Sequence, residues 1–174
     1  KTKLIANELK QIYSLKQISV TREILPVGLK IKLKYRIPVA FAEKVEKGIK
    51  VAGFVDKEGI FIEKKFYGNK DNYNFPVKIF GWNKKHARII SEIIKIYNNS
   101  NDLEVINISP EGFIMLEDKK LQNILLGYKS SDTSEKLNLI FDIKKQLMNQ
   151  KIQKKIKNLD LTDPANPRIK VFIP

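Results

Sequence analysis

Few side chains in this chain can do chemistry. His86 is the only histidine and there is no cysteine, so histidine-based triads, multi-histidine metal sites, thiol nucleophiles and disulfide frameworks are excluded. His86 falls in the first turn of a helix, where a solvated or capping role is expected. Carboxylate chemistry on a sugar or a metal needs acids at the ends of core strands. Asp56, Glu58, Asp118, Asp132 and Asp163 instead read as turn and cap residues, and turn chemistry explains each. Gly48, Gly53, Gly59, Gly68 and Gly81 are scattered singletons that form no phosphate loop. Trp82 beside Gly81 reads as a residue capping a core rather than a stacking platform for bases. Asn98-Asn99-Ser100 and Asn107-Ile108-Ser109 match glycosylation sequons, as an Asn-rich chain does by chance. No catalytic or metal residue emerges, and neither a cofactor nor a small-molecule substrate is expected.

The net charge of +14 over 174 residues makes nucleic acid a rival partner, because clustered cations bind phosphate by counterion release. Arg, the residue suited to bidentate phosphate and base contacts, occurs only at Arg22, Arg36, Arg88 and Arg168. The other cations are Lys, and abundant Lys, Ile and Asn beside scarce Ala and Arg is what A·T-rich codons give. The charge is read as compositional. Lys144, Lys145, Lys151, Lys154, Lys155 and Lys157 form the densest basic stretch, read as a solvated helix C-terminus followed by a charge-protected edge strand. No window approaches the roughly 18 to 20 apolar residues of a membrane span. The chain starts at Lys1 rather than Met, so we expect an upstream piece carrying a membrane anchor.

The elements that hold these residues follow from periodicity. Leu4, Ile5, Leu9, Ile12 and Tyr13 recur at helical spacing. Ile18 to Ile24 and Leu29 to Tyr35 alternate around the turn Leu25-Pro26-Val27-Gly28, which predicts a hairpin with Lys30, Lys32 and Lys34 as a comb on its wet face. Pro38 ends that strand or sets it at a sheet edge, and the polar stretch Glu43 to Gly48 follows. A domain boundary is placed near Pro38. Ile49 to Val55 and Ile60 to Glu63 predict a second hairpin, with Gly59 available for positive φ. Tyr67 to Tyr73 reads as an exposed loop.

Asn83 caps a helix whose stripe is Ala87, Ile90, Ile93, Ile94 and Tyr97. Leu103 to Ile108, Phe113 to Leu116 and Leu121 to Leu126 are spaced as an antiparallel meander. Asp132 with Glu135 resembles a capping box for a helix carried by Leu137, Ile140, Phe141, Lys144 and Leu147 to Asn149. Ile156 to Leu161 and Ile169 to Ile173 flank Asp163-Pro164-Ala165-Asn166-Pro167 as a terminal hairpin. The chain is predicted to be α+β.

Several runs are family-like. Ile18-Ser19-Val20-Thr21-Arg22-Glu23-Ile24-Leu25-Pro26, Leu29-Lys30-Ile31-Lys32-Leu33 and Arg36-Ile37-Pro38-Val39-Ala40 resemble the end of the POTRA domain in the FtsQ/DivIB family of bacterial cell-division proteins. Arg22, Pro26, Leu29, Arg36, Pro38 and Ala40 fall in register with the family pattern, while Tyr35 stands where the family has Glu. Phe54-Val55-Asp56-Lys57-Glu58-Gly59-Ile60-Phe61 and Phe75-Pro76-Val77-Lys78-Ile79-Phe80-Gly81 are similar to later family motifs. Leu159-Asp160-Leu161 is similar to the family's Asp-Leu strand, with Thr162-Asp163 where the family has Arg-Tyr.

The resemblance implies a truncated POTRA domain over residues 1–37 and a β domain over 38–174, of antiparallel and mixed sheet with two helices. It implies a single-pass protein of the bacterial inner membrane, with this region periplasmic and acting at the division septum. The implied role is a non-enzymatic scaffold of the divisome that binds FtsB/FtsL-type division proteins by strand addition at the last sheet edge. Leu159, Leu161, Thr162, Asp163, Ile169, Val171 and Phe172 are the implied partner-binding residues. The physics points the same way, because a chain-terminal strand presents unpaired N–H and C=O groups that β-augmentation uses. A basic nucleic-acid-binding module is the alternative. A POTRA module of an outer-membrane assembly machine is weaker still, because the chain after Pro38 does not read as another POTRA repeat.

Overall fold

The computed structural model describes residues 2–12, 14–66, 75–98, 100–149 and 156–171. The first helical stripe forms α1 (Thr2–Ile12), and the two alternating runs form β1 (Gln17–Glu23) and β2 (Gly28–Lys34). Their register sets Ile18 opposite Leu33, Val20 opposite Ile31 and Arg22 opposite Leu29. Because strand side chains alternate between faces, the apolar residues share one face and Lys30, Lys32 and Lys34 the other. α1 packs on β1, yet every residue of β2 remains exposed.

The next segment departs from expectation. Pro38–Glu46 is not a strand end with a polar stretch behind it but a nine-residue strand, β3. Pro38 is its first residue, where a missing N–H is tolerated. Ala40 and Ala42 point into the core, and alanine is too weakly apolar to announce a buried face. Lys47-Gly48, with φ of 51° and 78°, then makes the two-residue turn into β4 (Ile49–Asp56). Positive φ at both turn residues matches the twist of a tight hairpin. β5 (Phe61–Glu63) pairs antiparallel with β4, one residue shorter than predicted. The loop predicted over Tyr67 to Tyr73 lies outside the described residues.

β6 (Lys78–Phe80), which periodicity gave no reason to assign, runs parallel to β3 on one side. Asn83 accepts a hydrogen bond from the Lys85 N–H at 3.0 Å. It caps a 3₁₀ turn, Lys84–His86, that leads into α2 (Ala87–Tyr97). β7 (Leu103–Ile108), β8 (Phe113–Asp118) and β9 (Gln122–Tyr128) form the expected meander, with β7 parallel to β6. α3 (Thr133–Asn149) follows. β10 (Ile156–Asp160) then lies parallel to β9, and β11 (Arg168–Val171) antiparallel to β10.

The described residues form an α+β fold with three α-helices, a two-stranded sheet and a nine-stranded mixed sheet in the order β11-β10-β9-β8-β7-β6-β3-β4-β5. Side chains of α2 (Ile89, Ile90, Ile93, Tyr97) and α3 (Leu137, Ile140) share one core with inward residues of the large sheet. Helix cover on such a face buries the apolar alternates of every strand beneath it. Arg36, expected at a strand position, instead lies in the segment joining β2 to β3. Its Nη1 donates to Asp56 Oδ2 at 2.5 Å and Glu58 Oε2 at 2.9 Å, and Lys16 reaches Glu58 Oε1 at 2.5 Å. These ion pairs tie the small hairpin to the β4–β5 turn.

Candidate partner-binding edge

Among the described residues β11 is the outer strand of the large sheet, paired with β10 alone. The register sets Asp160 opposite Arg168, Leu159 opposite Ile169 and Asn158 opposite Lys170. Ile169 therefore continues the face on which Leu159 is fully buried, but it lies beyond the core and is 43% exposed. Arg168 and Lys170 occupy the other face. Four residues with a charge at every second position are how an edge discourages unspecific pairing while keeping its backbone open.

The implied partner residues divide into three kinds. Leu159 and Leu161 are 0% exposed, so their side chains belong to the core and offer a partner no surface. Thr162 and Asp163 build the local turns. The Thr162 N–H and hydroxyl both donate to Asp160 Oδ1, at 3.0 and 2.7 Å. Asp163 accepts from the Ala165 N–H at 3.1 Å and from Asn166 Nδ2 at 2.9 Å. Hydrogen bonds from Thr162, and then the charges of Arg168 and Lys170, hold the Asp160 carboxyl below its ordinary range. Ile169 is exposed and Val171 half-buried, and Thr162 and Asp163 are exposed as well. Phe172 lies outside the described residues, as does Ile173 of the predicted strand.

What fixes this edge to the body of the protein was missed by sequence reasoning. Lys136, on α3, is buried, and its ammonium donates to the Leu126 carbonyl at 3.1 Å and the Thr162 carbonyl at 3.0 Å. Asp132 completes its surroundings at 3.5 Å. One lysine thus joins the end of β9 to the turn after β10, beside the Leu161 N–H to Leu125 carbonyl bond at 2.8 Å.

Lys144, read from sequence as part of a solvated basic stretch, is also buried. It pairs with Asp118 Oδ2, with Asp102 Oδ2 at 3.0 Å, and lies 4.9 Å from the Tyr97 ring centroid. The Tyr97 hydroxyl donates to Asp118 Oδ2 at 3.0 Å, while Asp118 Oδ1 takes the Lys120 and Leu121 N–H groups of the β8–β9 turn. Burial, then the Asp118 charge, pushes the Tyr97 hydroxyl far up. Burial also pushes Asp102 up, but hydrogen bonds from Lys144, Lys120 and Ser100 outweigh it and hold its carboxyl at about 2. In this network two carboxylates share the Lys144 ammonium, so that α3 is tied to the end of β8 and to the residue before β7. Lys151, Lys154 and Lys155 of the same stretch lie outside the described residues.

Trp82 Nε1 donates to the Gly59 carbonyl at 2.9 Å, and its ring lies 5.2 Å from that of Phe61. His86 is half-buried rather than solvated, and burial, then Lys129 and Lys85, lowers its pKa. Among the described residues no three His, Asp or Glu side chains are grouped to hold a metal ion, and no helix is long and apolar enough to cross a membrane. No protein-family model matches the chain, and a search of curated proteins finds no match.

Proposed function

We propose that this chain is a non-enzymatic scaffold of the bacterial cell-division machinery that recruits FtsB/FtsL-type division proteins by strand addition at β11. The observation that carries this reading is the open edge: β11 pairs with β10 on one side, ends the strand order, and leaves Ile169 43% exposed beside it. An incoming strand would satisfy the outward N–H and C=O groups and set an apolar side chain against Ile169. In the same reading residues 1–37 are part of a POTRA domain and 38–174 a β domain. The region works outside the plasma membrane at the division septum, tethered by an upstream span.

Proline scanning of β11 tests it. Proline removes a donor and obstructs a ladder. N–H groups alternate inward and outward along an edge strand, so proline at Ile169, Lys170 and Val171 should give two classes. At outward positions partner binding is lost while circular dichroism stays that of the wild type, and at inward positions the hairpin itself weakens. The measurement is calorimetry against a soluble FtsB/FtsL-type complex. If all three variants stay folded and bind with unchanged affinity, recruitment does not use this edge. Binding of an oligonucleotide that falls steeply with salt, with no affinity for division proteins, would replace the reading by the nucleic-acid alternative.

A further inference from the structure

At the tip of the β1–β2 hairpin Ile24, Leu25 and Val27 are 81, 91 and 90% exposed. Single exposed aliphatics are ordinary on protein surfaces. These three are consecutive around Pro26, offer no polar side chain, and run on into Leu29, Ile31 and Leu33, each about half exposed. Cations flank them: Arg22 is exposed, and Lys32 and Lys34 stand on the opposite face beside Lys30, which meets Glu23 at 3.0 Å. Residues 1–37 contain nine Lys or Arg and two Glu, a net +7, which is half of the chain's +14.

We infer that this tip is a wedge for an anionic lipid surface: Ile24, Leu25 and Val27 enter the boundary between headgroups and acyl chains while Arg22, Lys32 and Lys34 lie against lipid phosphates. A bilayer interface asks only for apolar area and positive charge in that arrangement. Compact, mobile ammonium groups suit diffuse attraction to many phosphates better than recognition of one. A second copy of the chain is a poorer occupant, since it would bring two hairpins of the same net positive charge together. The inference does not depend on what β11 binds.

The test is co-sedimentation of the whole chain with phosphatidylglycerol-rich vesicles and with phosphatidylcholine vesicles. Binding is expected to the first, to weaken with salt, and to be slight on the second. The double substitution L25D/V27D, at exposed positions, should lower partitioning at least about tenfold with an unchanged circular dichroism spectrum. Lys119→Glu, on the exposed β8–β9 turn, removes the same net charge and should lower it no more than about twofold. K32E/K34E should weaken binding and flatten its salt dependence. The inference is overturned if the wild type ignores anionic vesicles, or if L25D/V27D behaves as Lys119→Glu does. It is equally overturned if the wild type is a dimer in ultracentrifugation that L25D/V27D separates without touching vesicle binding.

Discussion

Lys144 shows how far single residues were legible. It lies on the stripe formed with Ile140 and, one turn earlier, Lys136, four residues apart each time, so helical spacing alone put both lysines on the buried face. Charge type argued the other way, and only the fold brings Asp102 and Asp118 to one ammonium and two carbonyls to the other. Removing the cation leaves Asp118 buried without its partner. Lys144→Met is expected to lower unfolding free energy in urea by about 3 to 5 kcal/mol, with Asp118→Asn added on top restoring part of the loss. The same cluster sets an acid limit. Asp102 titrates at about 2 when folded against an ordinary 3.8, so its stabilisation is full above the higher value and is lost as pH falls towards the lower one. Urea midpoints measured down this range should fall for the wild type, and more shallowly for Asp102→Asn. Equal slopes would remove Asp102 from the account.

At the scale of elements, long alternating runs and amphipathic stripes were readable, whereas β3 and β6 were not. β3 hides because its inward residues are Ala40 and Ala42 while Phe41 takes the opposite face, so the apolar alternation reads inverted. The turn Lys47-Gly48 was the available signal for a strand on either side of it. β6 is three residues long and is set by its neighbours, β3 and β7, not by its own pattern. Turn glycines make this testable. Gly48 and Gly59 have φ of +78° and +76°, but a Cβ at Gly48 meets nothing within 4 Å whereas one at Gly59 would lie 1.9 Å from the Ala87 carbonyl oxygen. Gly48→Ala is expected to cost about 1 kcal/mol, for the left-handed backbone alone. Gly59→Ala is expected to cost at least about 2 kcal/mol more, because the β4–β5 turn and the start of α2 must separate. Thermal melts of the two variants should differ accordingly, and equal losses would mean that the contact yields freely.

At the scale of the whole molecule, the α+β class and the terminal hairpin were readable, but the joining of parts was not, because it rests on charges far apart in sequence. Arg36 is the example. Its guanidinium bridges to Asp56, whose side chain is 4% exposed, so Arg36→Ala strands a buried carboxylate and should destabilise the protein by about 3 kcal/mol or more. Arg22, itself exposed near the end of β1, should change stability by no more than about 0.5 kcal/mol when replaced by Ala. Chemical denaturation of both variants decides whether the two arginines differ as their surroundings do.

The parallel junction between β9 and β10 also bears on the order of folding. Hairpins such as β7–β8 and β8–β9 close over a few residues, whereas the whole of α3 separates β9 from β10, so their pairing is expected to form later. The same logic runs backwards in the native state: β10 and β11 can detach together, with the Lys136 clamp released, while the central strands stay closed. Amide hydrogens of the last hairpin should then exchange with solvent sooner than those of β8. A partner strand laid along β11 would slow that exchange as a unit, so recruitment would be recorded in the breathing of the protein without a change in its shape.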